Sequence, residues 1–134
     1  MKLNKNAILK ILREYNFDSQ DYIIIGGASL VLQNVKEYTS DIDIAVSNNL
    51  YKKLIKKYKC QFEKNIDNYD IWFIDSIINF SNHYYEEIEY IEIFGYKVQT
   101  IDSVLELKKN LNRLKDKKDI KNIIDFYKIE DKAK

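Results

Sequence analysis

Asp41 and Asp43 stand two residues apart in Asp41-Ile42-Asp43-Ile44-Ala45-Val46, a run that alternates polar with apolar residues. Successive side chains of an extended strand point to opposite faces, so both carboxylates share one face and the isoleucines take the other. Two carboxylates on one rigid surface suit a hard divalent cation with oxygen ligands, and magnesium is the natural candidate. An Asp-x-Asp pair alone is a common and weak signal.

Gly26 and Gly27, upstream, follow the β-branched run Tyr22-Ile23-Ile24-Ile25. Glycines let the backbone approach a ligand closely, and a helix beginning after them offers unpaired N–H groups and a positive dipole end to phosphate oxygens. Ser29 adds a hydroxyl in the first turn. A phosphate cradle and a metal-binding pair separated by one short helix are the two halves of a phosphoryl-transfer site.

The elements that must position these residues follow from periodicity. Ala7, Ile8, Ile11, Leu12 and Tyr15 recur at helical spacing and predict a first helix ending before Phe17. Tyr22 to Ile25 reads as a strand, stopped by a glycine turn, with a short helix over Ala28 to Val35. A helix capped by Asn48 runs to about Tyr58, with Leu50, Leu54 and Ile55 inward and Lys52, Lys53, Lys56 and Lys57 on a solvated face. Strands are expected around Cys60 to Glu63 and over Tyr69 to Ile74, then a helical stretch before Glu87. Ile88 to Phe94 and Tyr96 to Thr100 suit a hairpin joined at Gly95. Asp102 then caps a helix to about Leu111, and a last helix covers about Asp116 to Tyr127 before a frayed tail. The fold class is α/β: one domain over residues 1–134, a small mixed sheet with helices packed mainly on one side.

Composition narrows the chemistry. With 134 residues, 46% of them hydrophobic and 32% charged, the chain is sized for one globular domain. A single Cys60 and a single His83 make neither a disulfide nor a convincing zinc site, so any metal falls to oxygen ligands. Twenty-two basic against 21 acidic residues give a net charge of +1, and no global field draws the molecule to nucleic acid or membrane. No apolar run approaches membrane-spanning length and the N-terminus lacks an apolar signal core, so a cytoplasmic protein without a membrane partner is expected.

Ile25-Gly26-Gly27-Ala28-Ser29-Leu30 followed by Thr39-Ser40-Asp41-Ile42-Asp43-Ile44 resembles the signature of the nucleotidyltransferase superfamily related to DNA polymerase β. Val98 to Ile120, with Lys108-Lys109, Arg113 and Lys115-Asp116-x-x-Asp119, is similar to the C-terminal segment of small bacterial members, including abortive-infection and toxin–antitoxin relatives. The resemblance implies a third carboxylate on a neighbouring strand, for which Asp70 is preferred over Asp75, Asp67 and Glu92. It also implies that Lys109 and Arg113 reach a triphosphate, against the alternative that they pair with Asp116 or solvent. Thr39 contacts nucleotide or, in the preferred reading, sets the strand. Trp72 and Phe73 read as core rather than base-stacking groups, and the clustered Tyr84, Tyr85, Tyr90 and Tyr96 line a groove or are scattered half-buried residues.

The resemblance implies transfer of a nucleoside monophosphate from an NTP to an acceptor hydroxyl, with two magnesium ions, or manganese in their place, on Asp41, Asp43 and Asp70. The rival expectations are a binding or regulatory module without turnover, and a toxin acting on tRNA or a protein with an antitoxin partner. The acceptor, whether RNA, protein or small molecule, is not legible in the sequence, and neither is a second copy as partner.

Overall fold

The computed structural model describes residues 2–83 and 85–133. Seven strands form one mixed sheet: β1 Tyr22–Ile25, β2 Ile42–Val46, β3 Gln61–Ile66, β4 Tyr69–Ile74, β5 Ile78–Ser81, β6 Tyr90–Ile93 and β7 Tyr96–Gln99. The helices are α1 Lys5–Tyr15, α2 Gly26–Leu32, α3 Asn48–Lys57, α4 Ile101–Leu111 and α5 Lys117–Ala133. The sheet order is β3-β4-β5-β2-β1-β7-β6, with β1 and β2 antiparallel at the centre. β1 runs parallel to β7 and β2 parallel to β5.

Strand alternation divides the sheet into two unlike faces. Tyr22, Ile24, Ile42, Ile44, Val46, Ile74, Ile78, Phe80 and Val98 form the main core with Ile8, Leu9 and Leu12 of α1, Ala28, Val31 and Leu32 of α2, and Leu50 and Leu54 of α3. A second cluster of Leu30, Val104 and Ile123 joins α2 to α4 and α5. The helices thus pack mainly on one side, as expected, and the opposite face carries Asp43 together with the buried Ile23, Ala45 and Gln99.

Local chemistry sets the boundaries. Asn4 caps α1 by accepting from the Ala7 N–H, and Asn16 ends it in the left-handed region at φ 55°. Ser47 rather than Asn48 caps α3, and Thr100 rather than Asp102 caps α4, each side chain reaching the N–H three residues on. The two-residue turns Asp67-Asn68 and Phe94-Gly95 have positive φ at both positions, the hairpin geometry that matches strand twist, and Asp75 and Ser76 of the three-residue turn between β4 and β5 also have positive φ. The four α3 lysines are exposed, and Ile55 is also largely exposed.

Further expectations fail. The stretch before Glu87 holds strand β5, because Ile78 and Phe80 alternate with Asn79 and Ser81 and slot beside β2. The glycines are not a turn ahead of a helix either, since Gly26 and Gly27 are the first two residues of α2. The last helix runs beyond Tyr127 to Ala133. Trp72 joins the main core and donates its indole N–H to Tyr51 at 2.9 Å. Tyr84 lies outside the described residues.

Candidate active site

Asp43 sits in the middle of the sheet, paired with Ile25 of β1 on one side and Asn79 of β5 on the other. Its Oδ2 lies 3.7 Å from where a β-carbon on Gly26 would stand, so the carboxylate rests against the first turn of α2. Its Oδ1 is buried without a hydrogen-bond partner. A buried polar atom left unpaired costs free energy, and such an atom in a native fold needs an explanation. Burial pushes the Asp43 carboxyl up to about 7, the Asp41 and Glu63 charges add to this, and Lys108 and Lys64 oppose it. Asp41, two residues before on the same face, is also raised by burial and by Glu63, with Lys115 and Lys36 pulling the other way.

Gly26 has φ +59°, a conformation that residues with a β-carbon rarely adopt. Its N–H donates to Oε1 of the buried Gln99 at 3.0 Å, and the Gln99 amide donates to Ser103 Oγ at 2.9 Å. That N–H is therefore committed to the fold and not to phosphate. Ser29 is fully buried and donates its hydroxyl to the Gly26 carbonyl at 2.7 Å, so it stabilises the turn and offers nothing to a ligand, contrary to the sequence expectation. At Gly27 a β-carbon would come within 2.8 Å of Thr39 Oγ1 and 3.1 Å of Lys36 Nζ. Thr39 does set the chain ahead of β2, pairing its backbone with Leu3 at 2.8 and 3.0 Å, and its hydroxyl and the Lys36 ammonium also pack against Gly27.

Asp70 is not brought to this pair. The row through Asp43 continues to Asn79 and then Phe73 on β4, three residues from Asp70. An odd offset puts Asp70 on the opposite face, about 10 Å along the strand and two strands away. There it accepts from Asn65 Nδ2 at 2.9 Å. Asp67 and Asp75 are turn residues, and Asp75 accepts from Tyr15 Oη. Glu92 lies on edge strand β6, three strands from β2.

The carboxylate that does approach is Glu63. The β3–β4 pairing shifts between Phe62 and Lys64, so Glu63 is the extra residue of a bulge. Bulges re-aim side chains, and this one brings Glu63 Oε2 within 2.8 Å of Asn79 Nδ2, next to Asp43. No alternation pattern could have shown it, because the bulge is where alternation breaks.

The cations also differ from expectation. α4 ends at Leu111, and Asn112 turns the chain in the left-handed region at φ 49°, so Lys109 and Arg113 do not share a helix face. Lys109 is exposed. Arg113 donates from Nε to Asp116 Oδ2 at 2.6 Å and from Nη2 to Oδ1 at 3.2 Å. Lys108, one residue earlier, is the buried partner: its ammonium lies 2.9 Å from Asp116 and 3.3 Å from Asp119. Lys36 bonds both oxygens of Asp119, at 2.9 and 3.1 Å. Burial would raise the Asp116 carboxyl, but the Arg113 and Lys108 hydrogen bonds together outweigh it and hold the group below its usual value. Missed from sequence, then, were Lys36, Glu63, Asn79 and Gln99. The Lys115-Asp116-x-x-Asp119 motif did mark the right segment.

Among the described residues, no three His, Cys, Asp or Glu side chains are close enough to hold a metal ion by themselves. The donor set still fits magnesium, which is often held by one or two carboxylates plus substrate oxygens and water rather than a full protein cage. The orphaned Asp43 Oδ1 beside Asp41 is the oxygen such an ion would use.

The fold matches the crystal structure of a candidate nucleotidyltransferase from Thermotoga maritima at a TM-score of 0.57 and 15% sequence identity, over 92% of this chain and 96% of that one. No curated protein matches significantly. No helix among the described residues is long and apolar enough to cross a membrane. The model of a family described as nucleotidyltransferases of unknown function, DUF6036, matches residues 3–131, and the chain that carries Asp41 and Asp43 over Gly26 belongs to that family.

Proposed function

We propose that the protein transfers a nucleoside monophosphate from an NTP to an acceptor hydroxyl. The oxygen of that hydroxyl forms a bond to the α-phosphorus, the bond from the α-phosphorus to the bridging oxygen breaks, and pyrophosphate leaves. The observation that carries this reading is the unpaired, buried Asp43 Oδ1 on the same strand face as Asp41, in a carboxylate whose other oxygen rests against Gly26.

Asp41 and Asp43 are the residues that would hold magnesium, whose chemistry is to neutralise charge on the triphosphate and orient its oxygens. Lys36 and Thr39 beside Gly27, with Lys108 joined to Lys36 through Asp119, are the groups that would receive the phosphates, and Lys36 and Lys108 replace Lys109 and Arg113 in that role. Glu63, held by Asn79, stands in for Asp70 as the third carboxylate, accepting the proton of the acceptor hydroxyl or ordering a water that does rather than holding metal. Asp43→Asn should abolish pyrophosphate release from NTP while the circular dichroism spectrum stays that of the wild type. Undiminished release by the variant refutes the proposal.

A second reading, a nucleotide-binding module without turnover, is favoured by the lack of a third carboxylate drawn into metal-binding range among the described residues. Calorimetric binding of magnesium and NTP with no pyrophosphate release under any acceptor would select it. The acceptor itself, whether RNA, protein or small molecule, and a place in a toxin–antitoxin pair are tested by incubating the protein and labelled NTP with total RNA and with lysate.

A further inference from the structure

Two ammonium groups from distant parts of the chain meet on one carboxylate. Lys36 follows α2, Lys108 lies near the end of α4, and Asp119 is in the first turn of α5. Asp119 bonds Lys36 through both oxygens and lies 3.3 Å from Lys108. All three side chains are mostly buried, between 13% and 18% exposed. Neighbouring Asp116 is more deeply buried and already saturated by Arg113 and Lys108. Three cations therefore share two carboxylates, which leaves the cluster with one positive charge in excess.

Like charges 3 Å or so from a common anion repel each other, and Lys side chains have several rotamers in which to escape. Asp119 removes that freedom. It fixes Lys36 so that its ammonium stands 3.1 Å from the β-carbon position of Gly27, and it fixes Lys108 alongside. The same two lysines are among the cations whose charge bears on the carboxylate pair, Lys36 on Asp41 and Lys108 on Asp43. A fixed pair of cations with excess charge, next to a residue with no side chain, is preorganised for a polyanion.

We infer that Asp119 is a positioning residue that clamps Lys36 and Lys108 together as a two-point receptor for the triphosphate of the nucleotide. The inference rests on the nucleotidyltransferase reading above, and it goes beyond it by assigning a role to a carboxylate that touches neither metal nor substrate. Its rival is that Asp119 merely competes with phosphate for the two ammonium groups. The two predict opposite signs: loss of a positioning anion weakens triphosphate binding, and loss of a competing anion strengthens it.

The experiment is calorimetric titration of inorganic tripolyphosphate and of Mg·ATP into the wild type, Asp119→Asn, Lys36→Met and the double variant. Asp119→Asn keeps the size of the side chain and an oxygen acceptor but loses the charge. The expected result is a loss of affinity for both ligands on the order of tenfold in each single variant, with the double variant no weaker than the weaker single, because both substitutions dismantle one unit. Unchanged or tighter binding by Asp119→Asn overturns the clamp alone. Failure of the wild type to bind either ligand overturns the nucleotide reading and the clamp with it. An independent measurement uses the wild-type chain: tripolyphosphate should slow amine labelling of Lys36 and Lys108 together, read by mass spectrometry. Protection of one lysine without the other refutes a shared receptor even if Asp119→Asn does not fold.

Discussion

Thr39 Oγ1 stands 2.8 Å from the point a β-carbon on Gly27 would occupy, closer than real β-carbons approach any neighbour. Gly27→Ala must therefore displace Thr39 or Lys36, and the displacement should cost about 1–3 kcal/mol, as overpacking does. Thr39→Ala in the same chain frees the space, so the double variant should recover part of that loss in urea denaturation. A Gly27→Ala chain as stable as the wild type would show that the contact yields without cost.

Asp43 makes stability depend on pH in a direction opposite to that of most carboxylates. Its carboxyl is pushed up to about 7, first by burial and then by Asp41 and Glu63, so the folded chain keeps a proton that the unfolded chain has lost. Stability is then fully present below about pH 4 and falls as pH rises through about 7. Asp43→Asn cannot take up this charge, and it should be more stable than the wild type at pH 8, by roughly 2–4 kcal/mol, with the gap narrowing below pH 7 and closing towards pH 4. Melting curves across that range give the answer, and a gap independent of pH contradicts it.

Glu63→Gln and Asp70→Asn separate the carboxylate that the bulge brings beside Asn79 from the one that the sequence favoured. Only Glu63 reaches the Asn79 side of Asp43. Transfer by Glu63→Gln should fall on the order of a hundredfold, the scale of a lost general base. Asp70→Asn, on the other face, should remain near wild type. The reverse ranking in a pyrophosphate-release assay would return the role to Asp70.

Asp116→Ala leaves Lys108 partly unpaired in a buried setting and removes both Arg113 hydrogen bonds. Because Arg113 is 38% exposed and partly hydrated, the loss should be nearer 2–3 kcal/mol than the full penalty of a buried broken pair. The wild-type Asp116 carboxyl is held below its usual value, so its contribution is present above the unfolded pKa and is lost as pH falls through the folded one. Denaturation midpoints should therefore converge for the two chains in acid. A gap that persists in acid would assign the loss to packing.

How much was legible depended on whether strand parity held. Tyr22–Ile25, Tyr69–Ile74 and the hairpin at Gly95 were readable because β-branched and aromatic runs end at residues that accept positive φ. The pairing of Gly26-Gly27 with Asp41 and Asp43 was readable because both lie within one strand–helix–strand unit. Asp70 was misjudged since its face depends on β5, a strand hidden in a segment read as helix, and the count of strands between two residues is not a local property. Glu63 was invisible because a bulge leaves no mark on alternation. Lys108 and Lys109 differ only by which side of α4 turns inward, and the left-handed Asn112 removed the helical spacing that had favoured Lys109 with Arg113.

The parallel pairing of β1 with β7 means that the two parts of the site are sewn together late in the chain. The glycines and the Asp41–Asp43 pair are complete by residue 43, whereas Glu63 comes with β3 and Lys108, Asp116 and Asp119 follow β7. During synthesis the first part must wait, its acidic pair uncompensated, until some sixty further residues have closed onto β1. Closure over such a span is slow relative to local helix formation. Under the proposed function, a chain stopped after Gln99 would display the Gly26-Gly27 and Asp41-x-Asp43 signature without Lys108 and Asp119, half of the proposed triphosphate clamp.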